Sequence, residues 1–437
     1  MNTNVLIIGA GIAGLASSIY IAEKYPDVKI IIISKTKLGE SNTMNAQGGI
    51  AVVQDFLLDS FASHIEDTMI ASRHYSDEKV VSSVVRAAPE LLQDLISWGA
   101  GFDKNPDGSF NLAHEGGHSH PRIIHRKDST GREIINTLIS QCRKFNNIKI
   151  LSEVFAQELL TKNNKCIGVK IIDSNQQKNI FADDIIMASG GIGQIFPLTS
   201  NHISSTGDGI TMAMRVGAKV SDLEFMQFHP TLLYAPNLKE NFLISEAVRG
   251  AGAFLLNEKL ERFMLKYDPR AELATRDVVT SAIQKEINLQ SQEFVWLDCR
   301  HFPKNKFAKE FPNIYLKCNK ININPEKDLI PVVPAAHYLC GGINCDLSGK
   351  TSLENLYAVG ECARTGLHGR NRLASNSLLE ALYFAKSISK SININSKLQK
   401  SQRMETNKSS NLKIKEVEKQ NMSELKNLIK GIKKLRS

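Results

Sequence analysis

The sequence predicts an α/β protein, and three stretches of chain carry that prediction. The first is a short apolar strand, Val5 to Ile8. It runs through Gly9-Ala10-Gly11-Ile12-Ala13-Gly14 into a helix from Ile12 to Tyr25 and a second strand from Val28 to Ser34. Short apolar runs bounded by glycine read as strands, and the helical spacing between them completes a βαβ unit. The second is a strand-rich section, Ile148 to Ala188, closing on Ser189-Gly190-Gly191. The third is a return to strand at Asn355 to Val359, leading into Gly360-Glu361 and a helix from Ser375. Together they describe a Rossmann-like domain built discontinuously from the two ends of the chain.

The intervening segments fill out the arrangement. Ser60 through Trp98 has apolar residues at helical spacing and reads as a helical region. Residues 224–338 mix both periodicities and are assigned to an inserted α+β capping domain. The expected division is therefore 1–223 and 339–390 for the discontinuous domain, 224–338 for the cap, and 391–437 for a short C-terminal helical tail. In the tail, Ser391 to Ser410 reads as a flexible linker rich in Lys, Asn, Ser and Gln. Leu425, Leu428, Ile429, Ile432 and Leu435 then fall on one face of a short basic helix.

Composition bounds the function. With 437 residues, 42% of them apolar and 23% charged, the chain can build a full core over more than one domain. Its longest apolar runs fall far short of the roughly 20 residues a membrane helix needs. The start, Met1-Asn2-Thr3-Asn4, enters a strand with no basic segment or apolar leader. Seven cysteines without a Cys-x-x-Cys pair read as reduced core thiols, which places the protein in a cytoplasm. The net charge of +9 is a property of the tail. Ser391 to Ser437 carry 12 Lys and Arg against 4 Asp and Glu, leaving the first 390 residues close to neutral. No nucleic-acid partner is expected of such a body.

The Gly9 to Gly14 turn is where function begins. Glycine there permits a tight turn and lets a pyrophosphate approach the helix N-terminus, whose free N–H groups favour anions. An NAD site would place an acid at the end of the second strand, about 20 residues beyond the last glycine. This chain has Ser34 and then Lys35. An extended FAD makes many other contacts and tolerates the loss. Two further glycine-rich loops, Asn45-Ala46-Gln47-Gly48-Gly49-Ile50 and Ala188 to Gly191, join Gly360-Glu361 in favouring such a cofactor, threaded by widely separated segments.

Longer motifs sharpen the reading. Gly207-Asp208-Gly209, the run Glu224 to Thr231, Glu246-Ala247-Val248-Arg249-Gly250 and Thr275-Arg276-Asp277 resemble the succinate dehydrogenase and fumarate reductase flavoprotein family. His337 to Gly342 and Gly366 to Leu378 resemble more narrowly the L-aspartate oxidases within it. The resemblance covers about residues 3 to 390.

It implies a set of roles. Cofactor contacts extend to Lys35, Asn42, Thr43, Met44, Phe155, Ala156, Asp208, Glu361, Ser375, Ser377 and Leu378. Membrane-bound family members attach FAD through a His where this chain has Asn42, so the flavin is expected to be non-covalent. Arg276 and Arg372 match the arginines that grip a dicarboxylate, which suits planar guanidinium groups. His229 and His337 stand beside them as donors, and Gln227 and Ser245 complete the polar lining. Glu115 matches the acid that orients an amine, which succinate and fumarate lack. Arg276 is the implied acid/base, relayed by Glu246 and Arg249, although a free guanidinium is normally charged at all ordinary pH. Ala251 replaces a family Glu without touching that relay.

The implied reaction is oxidation of L-aspartate to iminoaspartate, with O2 (giving H2O2) or fumarate as acceptor and with coupling to quinolinate synthase in NAD biosynthesis. A soluble fumarate reductase or succinate dehydrogenase flavoprotein is the alternative, and a non-catalytic flavin-binding protein a third. His114, His118, His120 and His125 cluster, but no Cys or second acid completes a metal ligand set, so no metal is expected. Family members of the narrower kind usually add a three-helix bundle, and this tail has room for one helix at most.

Overall fold

The computed structural model describes residues 1–236, 238, 240–392 and 414–436. The βαβ opening forms as the sequence predicts: strand Asn2–Ile8, helix Ile12–Lys24 and strand Ile30–Ser34. The two strands run parallel, with Val5 opposite Ile30 and Ile8 opposite Ile33. Every residue of Ile30–Ser34 is buried. A strand covered on both faces needs such an unbroken apolar run.

Seven strands make this sheet, and one of them binds the two ends of the chain together. Gln176–Met187 pairs along one edge with Asn2–Ile8. Its other edge pairs with Lys165–Asp173 over its first half and with Leu356–Ala358 over its last three residues. Beyond these lie Phe155–Lys162 on one flank and Ile148–Ser152, next to Ile30–Ser34, on the other.

A second, four-stranded antiparallel sheet is ordered Met226–Leu233, Ile330–Leu339, Val295–Asp298, Phe254–Leu256. It packs with helix Arg276–Leu289 around its own core, which includes Val248, Phe263, Ile283, Phe307 and Val332. Its first and second strands carry His229 and His337.

One expectation gains detail and one changes. The helical region from Ser60 to Trp98 is two helices, Phe61–Ala71 and Glu78–Ser97. Arg73 and His74 between them adopt φ of +60° and +57°, a left-handed pair that no helix continues through. Asp77 then caps the second helix by accepting from Lys79 and Val80 N–H. The last helix, Ile414–Arg436, is 23 residues long rather than short. Its buried side chains are Val417, Asn421, Leu425 and Ile429, a stripe at spacing four, while Leu428 is 37% exposed. The side chains of Ile432 and Leu435, and the linker expected at 393–410, lie outside the described residues.

Candidate active site

Gly9 ends the first strand at φ +118°, a left-handed conformation that suits glycine. A Cβ there would sit 2.1 Å from the Ala188 carbonyl oxygen. One on Gly14 would sit 1.9 Å from Gly9 O, so Gly14 serves the packing of the turn and does not line the cavity. The helix beginning at Ile12 has no capping side chain at Gly11. Among the described residues, the side chain that reaches its first turn is Thr43, whose Oγ1 accepts from Ile12 N–H at 3.2 Å. The remaining first-turn donors suit a pyrophosphate.

A cavity of about 510 Å³ opens on this turn. Gly9 to Ala13, Lys35, Asn42 to Gly49, Phe155, Ala156, Asp208, Glu361, Ser375, Ser377 and Leu378 all line it. So do Glu115, His229, Ser245, Glu246, Arg276, His337 and Arg372. A cavity walled by a glycine turn at one part and by cationic and imidazole groups at another fits an extended FAD with a substrate beside its flavin. Within it, Lys35 Nζ donates to Thr206 Oγ1 at 2.5 Å and Asp208 Oδ2 at 2.6 Å. Asn42 accepts from His202 N–H at 2.6 Å and donates to Ser205 Oγ at 2.9 Å, so its amide is spent on holding the loop. Burial pushes the Glu361 carboxyl up to about 7, although Leu339 N–H donates to it at 3.1 Å.

The cationic part of the cavity wall is a chain of charge pairs. Arg276 opens its helix, and its Nε–H donates to Glu246 Oε2 at 2.5 Å. Glu246 opens the short helix Glu246–Gly250, so Arg249 lies one turn on and meets Oε1 at 3.1 Å. Burial alone would raise the Glu246 carboxyl, but the Arg276 and Arg249 guanidinium groups outweigh it and hold it low. Burial lowers the Arg249 guanidinium below its ordinary value. It also lowers Arg372, to about 10, with Arg276 adding repulsion.

The imidazoles are neutral, pushed well below their usual range by burial and next by Arg276. Their partners fix the tautomers. Thr231 N–H donates to His229 Nδ1 at 3.2 Å, which leaves His229 Nε2 as the donor. Arg372 donates to His337 Nε2 at 3.1 Å, so His337 Nδ1 carries the proton and donates to Ser200 Oγ at 2.7 Å. Arg372 also donates to Ser377 Oγ at 2.7 Å and lies 4.3 Å over the Tyr338 ring. Ser375, held at φ +58°, donates to Glu115 Oε2 at 2.5 Å and accepts from Gly49 N–H at 3.2 Å. Burial and then the charge of Glu246 push the Glu115 carboxyl up.

Two sequence-predicted residues stand behind the wall. Gln227 is not part of the lining: its oxygen accepts from Arg276 at 2.9 Å, and its nitrogen donates to Asn371 Oδ1 and Arg372 O, each at 2.7 Å. It ties the two arginines together. Arg249 is likewise set back, donating to Glu272 O. Asn371, Thr231 and Ser200 were not singled out from sequence. Asn371 sits inside the Gly366 to Leu378 motif and was within reach, whereas Ser200 carries no signal.

The histidine cluster disperses. His118 Nε2 donates to Ala374 O at 3.0 Å and His114 Nε2 to His118 O at 2.7 Å, while His125 Nε2 pairs with Asn111 at 3.1 Å. Buried Arg122 anchors this loop, bidentate to Asp59 at 2.7 Å and bonded to Asp67 at 2.5 Å. Among the described residues no group of three His, Cys, Asp or Glu could hold a metal ion.

Comparison with known proteins agrees with this geometry. The family described as "FAD binding domain" matches residues 4–378. A chloroplastic L-aspartate oxidase of Oryza sativa subsp. japonica is 46% identical over 87% of this chain and 61% of its own length. L-aspartate oxidases of Yersinia pestis and Pseudomonas aeruginosa are 41% and 43% identical, over 75% and 73% of their lengths. The chain thus spans about 61% of the rice protein it matches. Among solved structures, E. coli quinol fumarate reductase superposes with a TM-score of 0.85 at 33% identity, covering 90% of this chain and 70% of that one. Mycobacterium smegmatis Sdh1 follows with a TM-score of 0.76 at 31% identity, covering 89% and 68%. A glycine cradle, a cavity lined by the widely separated segments that the cofactor reading named and these relatives agree: the chain belongs to the FAD-binding flavoprotein family of the L-aspartate oxidases.

Proposed function

We propose that the chain oxidises L-aspartate to iminoaspartate. The observation that carries this reading is Glu115: a buried carboxylate on the cavity wall, bonded to the Ser375 hydroxyl and with no ion pair among the described residues. A substrate carrying only two carboxylates would meet repulsion there. An α-ammonium supplies the missing cation and draws the Glu115 carboxyl back toward its charged form.

Arg372, with His337 fixed beside it, is the anchor for one substrate carboxylate; His229 Nε2–H, Ser245 and Arg276 face the other. Holding both ends orients the Cα–H bond and makes its cleavage effectively unimolecular. FAD, bound non-covalently, supplies the acceptor of that hydride. The second hydrogen leaves as a proton from the substrate nitrogen. Arg276 is assigned its passage, with Glu246 and Arg249 as the relay that returns the charge to solvent. Residues 224–338, which carry His229, Glu246, Arg276 and His337, act as the cap that excludes water from the site.

The same reading assigns O2 or fumarate as acceptor and quinolinate synthase as consumer of the labile imine. Seven unpaired cysteines suit a reducing cytoplasm. No described helix is long and apolar enough to cross a membrane.

The test is anaerobic. FAD-loaded protein is mixed with L-aspartate, and separately with succinate, while the flavin absorbance is followed. Bleaching by L-aspartate alone is expected. Bleaching by succinate alone would move the chain to the fumarate reductase reading.

A further inference from the structure

We propose that the Ile414–Arg436 helix is a clasp for the adenosine half of FAD, acting through Glu418 and Asn421 on Lys35 and Asp208. The argument starts from Lys35. It follows the second parallel strand, where dinucleotide folds place a carboxylate against the ribose hydroxyls. With an ammonium there, the acid near it is Asp208, and both residues line the cofactor cavity. Neither is held by its own segment alone. Lys35 Nζ reaches Glu418 Oε1 at 3.1 Å, completing three contacts for its three protons. Asp208 divides its oxygens: Oδ2 accepts from Lys35 and Thr206, and Oδ1 accepts from Asn421 Nδ2 at 2.7 Å.

Apolar contacts seat the same helix on the same wall. Leu425 is fully buried, and a Cβ on Gly207, the residue before Asp208, would lie 2.3 Å from its Cδ1. Val417 packs with Phe155, another cavity-lining residue. Three consecutive turns of one helix therefore bear on three segments of the cavity wall. Asn421 is the telling residue: a buried amide in an otherwise apolar stripe adds nothing to packing, and its partner is a carboxylate facing the cavity. Removing the Glu418 and Asn421 contacts leaves Lys35 and Asp208 held by each other and by Thr206 alone among the described residues, and the cost falls on the cofactor's adenosine end.

The test uses the full-length apoprotein. FAD affinity is read from flavin fluorescence, and ADP, which has the adenosine half without the flavin, is titrated as competitor. Wild type, Glu418→Gln, Asn421→Ala, their double variant and Leu428→Ala as a control on the exposed face are compared, each with its thermal midpoint. The double variant is expected to weaken FAD and ADP binding by about tenfold, the scale of lost hydrogen bonds to charged groups. Its midpoint stays within about 2 °C of wild type, and Leu428→Ala changes neither quantity. Unchanged FAD and ADP affinity overturns the proposal. So does a loss of affinity matched by a large fall in midpoint, because the helix would then be only a structural support. Failure of ADP to compete in wild type also overturns it, since the adenosine end would then carry no binding energy.

Discussion

Arg276 Nε–H and Glu246 Oε2 stand 2.5 Å apart, and Arg249 approaches the other oxygen of the same carboxylate at 3.1 Å. One buried acid therefore bridges two buried guanidinium groups, and its loss leaves both without an ion-pair partner among the described residues. Glu246→Gln is expected to lower turnover by at least about 100-fold, the scale of a lost proton-transfer group. It should also cost about 3–5 kcal/mol of stability, as broken buried ion pairs do. Arg276→Leu should abolish turnover. FAD titration checks that both variants still bind cofactor, and substantial retained turnover in Arg276→Leu would remove that residue from the chemistry.

Glu115 sets the choice of substrate. Glu115→Gln keeps the hydrogen-bonding shape beside Ser375 but removes the charge. L-aspartate kcat/KM is expected to fall about 100-fold, as for a lost charge-assisted contact, while fumarate reduction is unchanged or improved. Steady-state rates on both substrates give the ratio, and an unchanged ratio would dismiss the amine contact.

Glu361 should leave a mark on the pH dependence of stability. Its folded value of about 7 lies above the ordinary carboxyl value of 4.5. The folded apoprotein therefore holds a proton that the unfolded chain releases between those two pH values. That contribution is complete below pH 4.5, declines as pH rises and is gone above about 7. It amounts to about 3 kcal/mol by linkage. Glu361→Gln should flatten this part of the curve, measured by urea denaturation from pH 4.5 to 8.

Arg122 binds two buried acids, Asp59 and Asp67, beneath the His114 to Arg122 loop that carries Glu115. Arg122→Ala leaves both acids uncompensated and should cost about 3–5 kcal/mol. Thermal denaturation reads the loss. Because the loop positions Glu115, KM for L-aspartate should rise even at temperatures where the variant is folded.

Much of this was legible in the residues themselves. The glycine turn at 9–14 and the buried run Ile30–Ser34 announce their fold because sterics and burial leave few alternatives. The return of the chain at Leu356–Ala358 was visible for the same reason. Long-range polar contacts were not. Asp59 and Arg122 are 63 residues apart and read separately as solvated charges, and nothing about Ser200 links it to His337. The break at Arg73 and His74 has neither glycine nor proline to signal it. The buried face of the last helix is only partly legible: Leu425 and Ile429 are buried as expected, Leu428 is not, and the upstream anchors Val417 and Asn421 lie outside the apolar stripe that the sequence displays.

Strand Gln176–Met187 joins Asn2–Ile8 on one side and Leu356–Ala358 on the other. During synthesis the first partner precedes this strand and the second follows it only after a long intervening stretch of chain. Until residue 358 has emerged, Ile185 to Met187 of that strand have an unpaired edge, and the cavity lacks the wall that Glu361, Arg372 and Ser375 provide. A nascent chain can therefore present its glycine turn to a pyrophosphate long before it can enclose a flavin. Enclosure of the cofactor waits on residues that follow Ala358, and FAD supply acts on chains that have passed that point.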